Sequence, residues 1–377
     1  MKKVYLDNAA TTPLLPEVIS SFVSSLETTY GNPSSTHSFG RSSRALIENA
    51  RKSIAKQLHC TTSELVFTSG GTEADNLILK NAVYHLNVTH IISSKLEHHA
   101  VLHTIDFLAS KNTTISYVKT LPDGTLDYDD LEKLLQNSTT EKTLISLLHV
   151  NNEIGTILDL DKVIALKQKY KALFHTDTVQ SIGHFDINLV DLDIDFLAAS
   201  AHKFHGPKGI GFAFFRKGTG IQPEILGGEQ ERGSRAGTEN TPAIVGMEKA
   251  LTVCLSNLEK DLHYLKELKH YFMSELKNKI PSVKFNGVSG DLNKSTHTVL
   301  SVQFSKDLPM LLFQLDLKGI AVSGGSACQS GANKGSHVLQ SFLNDEEQQN
   351  TSVRFSFSKL NTQDEIDYVI AQLLNVV

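Results

Sequence analysis

Short apolar segments alternate with helical patterns between residues 65 and 215, and this alternation constrains the fold of the chain strongly. The apolar segments, such as residues 91–93 and 194–199, are bounded by turn-forming residues, which is typical of buried β-strands. Strands that alternate with helices over short loops indicate a largely parallel sheet wound by helices. Open sheets of this kind place ligands at the carboxyl ends of their strands. The sequence therefore predicts an α/β fold whose functional residues follow its strands.

The length and composition of the chain restrict the class of protein. A chain of 377 residues is longer than one typical domain, and a long helical stretch at 242–276, broken near Ser256, is expected to lead into a second, smaller domain. The net charge is −5 without a basic tract, so direct nucleic-acid binding is not favoured. No apolar run is long enough for a bilayer, and the first residues lack the apolar core of a signal peptide. We therefore expect neither a membrane protein nor a secreted one.

The three cysteines are far apart, odd in number and without a Cys-x-x-Cys pair. This pattern argues against a disulfide framework or a zinc site and for the reducing cytoplasm. Cys60 lies at the end of a helical pattern and Cys254 within one, so both are expected to be packing residues. Cys328 lies among glycine and serine residues at 323–331, which predicts a small loop. A lone loop cysteine is often incidental, and only its neighbours single this one out.

A lysine follows the predicted strand at 194–199. Lys203 lies in the sequence Ser-Ala-His-Lys-Phe-His-Gly-Pro-Lys-Gly, just past the end of that strand. A neutral amine in such a position can form a Schiff base with a carbonyl group. Most lysines are solvated surface residues, but the flanking Ser-x-His-Lys and Gly-Pro-Lys-Gly favour a functional one.

A glycine turn follows the predicted strand at 65–67 and precedes a helical pattern. The turn reads Thr-Ser-Gly-Gly-Thr-Glu at 68–73. Free amide groups and the helix dipole make such a helix start a phosphate site. The turn is not a P-loop because no Gly-Lys-Ser/Thr follows. An ordinary helix N-cap is the alternative interpretation.

Polar residues also follow other predicted strands. They are His98 after 91–93, Asn152 after 143–149, Asp177 with Gln180 after 173–176, and Arg354 within the last strand at 353–356. Histidine and aspartate at strand ends are often only capping or turn residues. A carboxamide there can bond a phenolate or carboxylate oxygen, and an arginine suits bidentate capture of a carboxylate.

These segments together resemble the NifS/IscS-type cysteine desulfurases, pyridoxal-phosphate (PLP) enzymes of the class V aminotransferase family. The resemblance runs from Tyr5 to about Tyr368 and includes Glu-His-x-Ala-Val at 97–101, Thr-x-Gln-Ser at 178–181 and Gly-Gly-x-x-Glu-x-x-x-Arg-x-Gly-Thr at 227–238. It implies the PLP-dependent transferase fold type I, with a mostly parallel seven-stranded sheet wound by helices and a smaller α+β domain. The expected large domain spans 13–255. Residues 1–12 and 256–377 form the expected small domain, which carries the cysteine loop.

The resemblance also implies a role for each site residue. Lys203 holds PLP as an imine, Cys328 is the nucleophile, and His98 stacks on the ring and transfers protons. A carboxylate, here Asp177, keeps the pyridine nitrogen protonated so that the ring accepts electrons. The implied PLP-binding residues are Gly71, Thr72, His98, Asn152, Asp177, Gln180, Ser200, His202 and Lys203, with Thr238 reaching the phosphate of the partner subunit. Arg354 and Asn152 are expected to bind the substrate carboxylate, and no metal is implied.

The implied reaction converts L-cysteine to L-alanine and leaves the sulfur as a persulfide on Cys328. The resemblance also implies a homodimer in the cytoplasm. The homodimer would pass this sulfur to an acceptor protein, such as an iron–sulfur scaffold, for iron–sulfur cluster assembly, the synthesis of thio-cofactors or tRNA thiolation. The loop reads Ser-Gly-Gly-Ser-Ala-Cys-Gln-Ser where the family usually has Ser-Ser-Gly-Ser-Ala-Cys-Thr-Ser, and IscS-like members carry a longer tail that helps dock the scaffold. The alternatives are a selenocysteine lyase or other PLP-dependent C–S lyase of the same fold, and an inactive homologue that acts as a binding subunit.

Overall fold

The structure is a computed structural model that describes residues 2–138, 142–324 and 335–377. Its strands are β1 (Val4–Tyr5), β2 (Leu65–Thr68), β3 (His90–Ser94), β4 (Thr114–Val118), β5 (Thr143–Ser146), β6 (Leu173–Asp177), β7 (Phe196–Ser200), β8 (Gly211–Phe215), β9 (Lys284–Phe285), β10 (Val299–Gln303), β11 (Ile320–Ala321) and β12 (Ser352–Ser356). Its helices are α1 (Pro16–Thr28), α2 (Ser38–Gln57), α3 (Gly71–Tyr84), α4 (His99–Ala109), α5 (Tyr128–Asn137), α6 (Leu160–Tyr170), α7 (Thr241–Ser256), α8 (Leu258–Lys279), α9 (Leu311–Leu317), α10 (His337–Gln340), α11 (Asp345–Gln348) and α12 (Gln363–Leu373).

A seven-stranded sheet forms the centre of the fold, in the order β2-β8-β7-β6-β5-β3-β4. Strands β4, β3, β5, β6 and β7 pair in parallel, whereas β8 runs antiparallel to both of its neighbours. The predicted mostly parallel seven-stranded sheet is therefore confirmed. Its parallel strands share one edge at which their carboxyl ends meet.

Helices cover both faces of this sheet, which explains why a central strand such as β7 is almost entirely apolar. In β7, Phe196 and Ala198 pack into one hydrophobic cluster, whereas Leu197 and Ala199 pack into the cluster on the opposite face. All five residues of β7 are buried. A strand buried on both faces carries a continuous apolar run instead of an alternating pattern, so residues 196–199 of β7 are all apolar for this reason.

A second, smaller sheet lies in the C-terminal part of the chain, with β10 between β12 and β9, and β1 pairs in parallel with β11. Phe272 of α8 packs against Phe355 and Phe357 there, with ring centroids 5.0 and 5.8 Å away. The predicted break in the long helical stretch lies between α7 and α8, at Asn257. The domain boundaries at 13, 255 and 256 stay a prediction.

Among the described residues, none of the helices combines the length and the apolar character that crossing a membrane requires.

Candidate active site

A cavity of about 460 Å³, called the site cavity below, is lined by residues that follow β3, β6 and β7. It brings together most of the predicted site residues: Gly71, Thr72, His98, Asn152, Asp177, Gln180, Ser200, His202, Lys203 and Arg354. Thr238 is not among its lining residues, and Cys328 lies outside the described residues. The residues that line the cavity are scattered from the N-terminal segment to β12, so the fold assembles them.

Lys203 ends a single turn of 3₁₀ helix, Ala201–Lys203, that follows β7 directly. Its Nζ donates hydrogen bonds to the carbonyl oxygens of Ala9, at 2.6 Å, and Ala10, at 2.9 Å. The N-terminal segment also fixes the turn itself, because the Thr12 amide donates to the carbonyl of His202 at 2.9 Å. The lysine amine is thus held at the wall of the site cavity.

The glycine turn between β2 and α3 forms a second wall. Gly70 has a φ of +152°, which favours glycine. A Cβ added to Gly71 would lie 2.5 Å from Cγ2 of Val179, so the first turn of α3 can approach β6 only without a side chain there. The first amides of a helix have no intrahelical acceptor, and the helix dipole favours an anion beside them. Ser200 and His202 line the same end of the cavity.

Asp177 and His98 are both largely shielded from solvent. Oδ1 of Asp177 accepts a hydrogen bond from the amide of Val179 at 2.8 Å, and burial raises the pKa of this carboxyl to about 6 although Lys203 opposes the shift. Burial, and then the charge of Lys203, lower the pKa of His98 to about 4. Nδ1 of His98 accepts from the amide of Ala100 at 3.1 Å. Its imidazole is therefore neutral near pH 7, with its proton on Nε2.

Arg354 provides a buried cation, with 2% of the residue exposed. Its Nη2 lies 2.8 Å from Oδ1 of Asp7, and its Nη1 donates to the carbonyl oxygen of Asn152 at 2.9 Å. Its Nε has no hydrogen-bond partner within the described ranges. Asn152 thus contacts the arginine through its backbone. An unpaired donor on a buried guanidinium suits an anionic group in the cavity.

Thr238 lies in a different place, beside a second cavity of about 190 Å³ that Ser69 and Arg235 also line. It is exposed at the end of the glycine-rich segment 227–238. Arg235 ties this segment to the glycine turn, because its Nε lies 2.8 Å from Oε1 of Glu73. A buried pair between Arg51 and Glu231, also at 2.8 Å, anchors its middle.

Several buried polar residues at the site were not predicted as site residues. Asp7 holds Arg354, and Asp75 lines the site cavity. Glu97 accepts from the hydroxyl of Ser94 at 2.8 Å and from the amide of Leu148 at 3.0 Å, and burial raises its pKa to about 8. The Glu-His-x-Ala-Val motif at 97–101 contains Glu97 and would have identified it, and Asp7 lies within the stretch over which the resemblance runs. For Asp75, one turn into α3, the available signal was its helical spacing from Ile78, Leu79 and Ala82, which places it on an apolar face of that helix.

Comparison with known proteins agrees with this geometry. A sequence profile of the class-V aminotransferases matches residues 4–369. A cysteine desulfurase IscS from Dictyoglomus turgidum is 41% identical over 381 residues, which covers 100% of this chain and 95% of that protein. A solved NifS-like protein superposes with a TM-score of 0.91 at 35% identity, covering 100% and 99% of the two chains. A structure of SspA in complex with cysteine gives a TM-score of 0.79 at 31% identity, covering 96% and 100%. The chain belongs to the class-V aminotransferase family, among its NifS/IscS-type cysteine desulfurases.

Proposed function

We propose that this protein is a PLP-dependent cysteine desulfurase that converts L-cysteine to L-alanine and an enzyme persulfide. The observation that carries the proposal is the convergence of Lys203, His98, Asp177 and a buried arginine, Arg354, on one cavity. A lysine amine, a buried carboxylate and a helix N-terminus are the groups that PLP enzymes require for the aldehyde, the ring nitrogen and the phosphate. The names of the relatives described above support the same activity.

The described residues fit PLP. The glycine turn lines the site cavity at the start of α3, where the first amides of the helix can bind a phosphate. Asp177 keeps one oxygen on the Val179 amide and presents its carboxylate to the cavity that Lys203 also lines. PLP bound here would supply an electron sink for the substrate carbanion. The PLP phosphate would be held by Gly71, Thr72, Ser200 and His202. The phenolic side of the ring would be contacted by Gln180 and Asn152.

Arg354 would bind the carboxylate of L-cysteine through its unpaired Nε, with Asn152 beside it. The SspA structure that contains cysteine supports an amino acid as substrate. Lys203 would move the α-proton of the substrate, because its amine lies at the cavity wall. His98 is neutral and carries its proton on Nε2, so it would donate a proton in later transfers.

Cys328 would take the sulfur. The C–S bond of the substrate breaks, an S–S bond forms with the Cys328 thiolate, and protons from the enzyme complete alanine and the persulfide. Cys60 and Cys254 are unsuited to this step, because burial raises the pKa of the first thiol to about 12 and of the second to about 11. Cys328 is therefore assigned by its motif and by the inertness of the other two thiols.

The working unit would be a cytoplasmic homodimer that passes sulfur to an acceptor protein such as an iron–sulfur scaffold. Ile19, Val23 and Leu26 leave an apolar stripe on α1 exposed by 42–52%, and Tyr30 and Phe39 extend it. A second copy of the chain would bury such a patch. Thr238, exposed in this chain, would then reach the phosphate in the partner subunit.

The function is tested by incubating the purified protein with PLP and L-cysteine and measuring alanine, pyruvate and protein-bound persulfide. In a single turnover the proposal requires alanine and persulfide in equal amounts, and borohydride reduction of the substrate-free protein should fix PLP to Lys203. Lys203→Ala should abolish both the desulfuration of L-cysteine and the borohydride labelling. Lys208→Ala is the matched control for the labelling. Pyruvate with free sulfide would instead identify a C–S lyase. A monomer with full turnover would overturn the dimer.

A further inference from the structure

Asp75 is a buried carboxyl group at the site cavity to which the reaction described above assigns no role. It lies four residues after Gly71 in α3, and only 1% of the residue is exposed. Its Oδ1 accepts no hydrogen bond from any residue in the described part of the chain. An ionised carboxylate that is buried without hydrogen bonds or a paired cation is strongly disfavoured. The protonation state of Asp75 therefore needs an explanation.

A histidine and a serine continue inward from Asp75. Oδ1 of Asp75 lies 3.4 Å from Nε2 of His175 on β6, and Nδ1 of His175 lies 2.9 Å from the hydroxyl oxygen of Ser146 on β5. His175 and Ser146 are both fully buried. Asp75, His175 and Ser146 thus form a chain of polar groups, called the buried relay below, that runs from the site cavity into the sheet.

The charges around the buried relay oppose a second ionised carboxylate. Asp177 lies two residues after His175 on the same face of β6, and Glu97 is fully buried nearby. Burial, then the charge of Asp177 and, above its own raised pKa of about 8, the charge of Glu97, raise the pKa of Asp75 well above its usual value. Burial also lowers the pKa of His175 to about 3, so the ring does not supply a compensating cation. These shifts argue against an ion pair between Asp75 and His175 near pH 7.

We propose that Asp75 is a positioning residue that stays protonated and donates a hydrogen bond to His175, which leaves Asp177 as the ionised carboxylate of the site cavity. The hydroxyl of Asp75 then donates to Nε2 of His175, and Nδ1–H of His175 donates to Ser146. Every member of the buried relay is neutral in this arrangement. The inference rests on the proposed function only where it concerns the cofactor. If Asp75 keeps its own proton, Asp177 does not share a proton with it and keeps its full negative charge opposite the ring nitrogen of PLP.

The experiment compares the urea unfolding of cofactor-free wild type and Asp75→Asn between pH 5 and pH 8. An amide keeps a donor for His175 but cannot titrate. The folded wild type retains a proton that its unfolded chain loses above the ordinary aspartate pKa, so the stability of the wild type falls relative to the variant as the pH rises. The unfolding equilibrium constant of wild type, divided by that of Asp75→Asn, should therefore rise with pH, by about tenfold per pH unit wherever the folded chain keeps this proton.

Asp129→Asn makes the same chemical change on an exposed residue of α5 and should leave the corresponding ratio flat. A flat or falling ratio for Asp75→Asn, or an amide variant that does not fold, would overturn the proposal, because an ionised Asp75 would then be a stabilising partner. Asp75→Ala removes both the titrating carboxyl group and the hydrogen-bond donor to His175. Its affinity for PLP, followed by absorbance, should fall about tenfold, whereas Asp75→Asn should keep the wild-type affinity.

The two readouts separate this inference from the proposed function. The unfolding ratio is measured without cofactor. If the ratio rises but PLP does not bind to the wild type, the proposed function fails and the neutral Asp75 stands. If PLP binds and the ratio stays flat, the inference fails and the proposed function stands.

Discussion

Arg354 and Asp7 form an ion pair at 2.8 Å between residues that are 347 positions apart in the chain. The hydroxyl of Ser323 also donates to Oδ1 of Asp7, at 2.9 Å. The N-terminal segment thus fixes both the arginine at the site cavity and the residue that follows β11 by two positions. The same segment accepts the hydrogen bonds of Lys203 through Ala9 and Ala10. This short segment thus links β12 of the three-stranded sheet to the turn that follows β7 of the seven-stranded sheet.

The first prediction concerns this ion pair. Asp7→Asn keeps a hydrogen-bond acceptor but removes the negative charge, so a buried guanidinium loses its counter-ion. Breaking one side of a buried pair costs about 3–5 kcal/mol, and we expect the cofactor-free protein to lose stability toward the lower end, since Asp7 keeps some exposure. Urea unfolding measures the loss. Saturating L-alanine should reduce the difference in unfolding free energy between Asp7→Asn and wild type, because the carboxylate of L-alanine would bind Arg354.

Glu132→Gln is the control for Asp7→Asn, because Glu132 pairs with Lys169 at the surface. Exposed pairs of this kind contribute little to stability. A stability of Asp7→Asn equal to that of the wild type would show that Asp7 does not support the arginine. A stability gap that L-alanine leaves unchanged would argue against Arg354 as the carboxylate site.

The sequence predicted those features that depend on neighbouring residues. The strand ends at 94, 177 and 200 place His98, Asp177 and Lys203 at one edge of the sheet. The apolar runs predicted these strands, whereas the roles of the three residues came from the resemblance to the cysteine desulfurases. The ion pair of Asp7 with Arg354 depends on the parallel bridge between Asp7 and Ser356 of β12, and so short a pairing gives no periodic signal in the sequence. The position of Thr238 could not be predicted for a different reason. Its predicted contact is with a second chain, so no pattern in one chain specifies its position.

Asp75 illustrates the limit for buried polar residues. Its position in the first turns of α3 is that of an ordinary solvated carboxylate near a helix N-terminus. Its helical spacing from Ile78, Leu79 and Ala82 places it on an apolar face of α3 instead. Only the packing of α3 against β6 shows which group it meets there, with His175 3.4 Å away, because such a contact depends on tertiary structure.

The second prediction concerns the stability of the cofactor-free protein in acid. His149 is 5% exposed, packs with its ring centroid 5.1 Å from that of Phe185, and has no hydrogen-bond partner on Nδ1 among the residues with described positions. Burial lowers its pKa to about 4. Between pH 6.5 and pH 4 the unfolded chain therefore binds a proton that the folded chain does not, so stability falls as the pH falls.

His149→Leu removes this titration without opening a large cavity. Relative to wild type, it should gain about 2 kcal/mol of unfolding free energy on going from pH 7 to pH 5. Urea unfolding at the two pH values measures the difference. His263→Gln is the control, because the His263 side chain is 75% exposed, and it should show no such gain. An equal response of the two variants would mean that His149 is protonated in the folded state.

The third prediction separates cofactor binding from sulfur transfer. The residues proposed to hold PLP, among them Thr72, His98, Asp177 and Lys203, all line the site cavity and lie far in sequence from Cys328. Cys328→Ala should therefore bind PLP and react with L-cysteine to give the spectral change of substrate binding. Alanine production should fall by orders of magnitude, because no thiolate takes the sulfur.

Cys60→Ala and Cys254→Ala are the matched controls, since each removes one thiol that burial keeps protonated. Burial raises the pKa of Cys60 to about 12 and that of Cys254 to about 11, so neither forms an appreciable amount of thiolate near pH 7. Both variants should produce alanine near the wild-type rate, although Cys254→Ala should be less stable because Cys254 is buried in α7 against the turn that carries Lys203. Alanine production and the absorbance of the bound cofactor are measured on all three variants. If Cys328→Ala desulfurates L-cysteine at the wild-type rate, Cys328 is not the nucleophile, and the protein acts as a lyase that needs no persulfide.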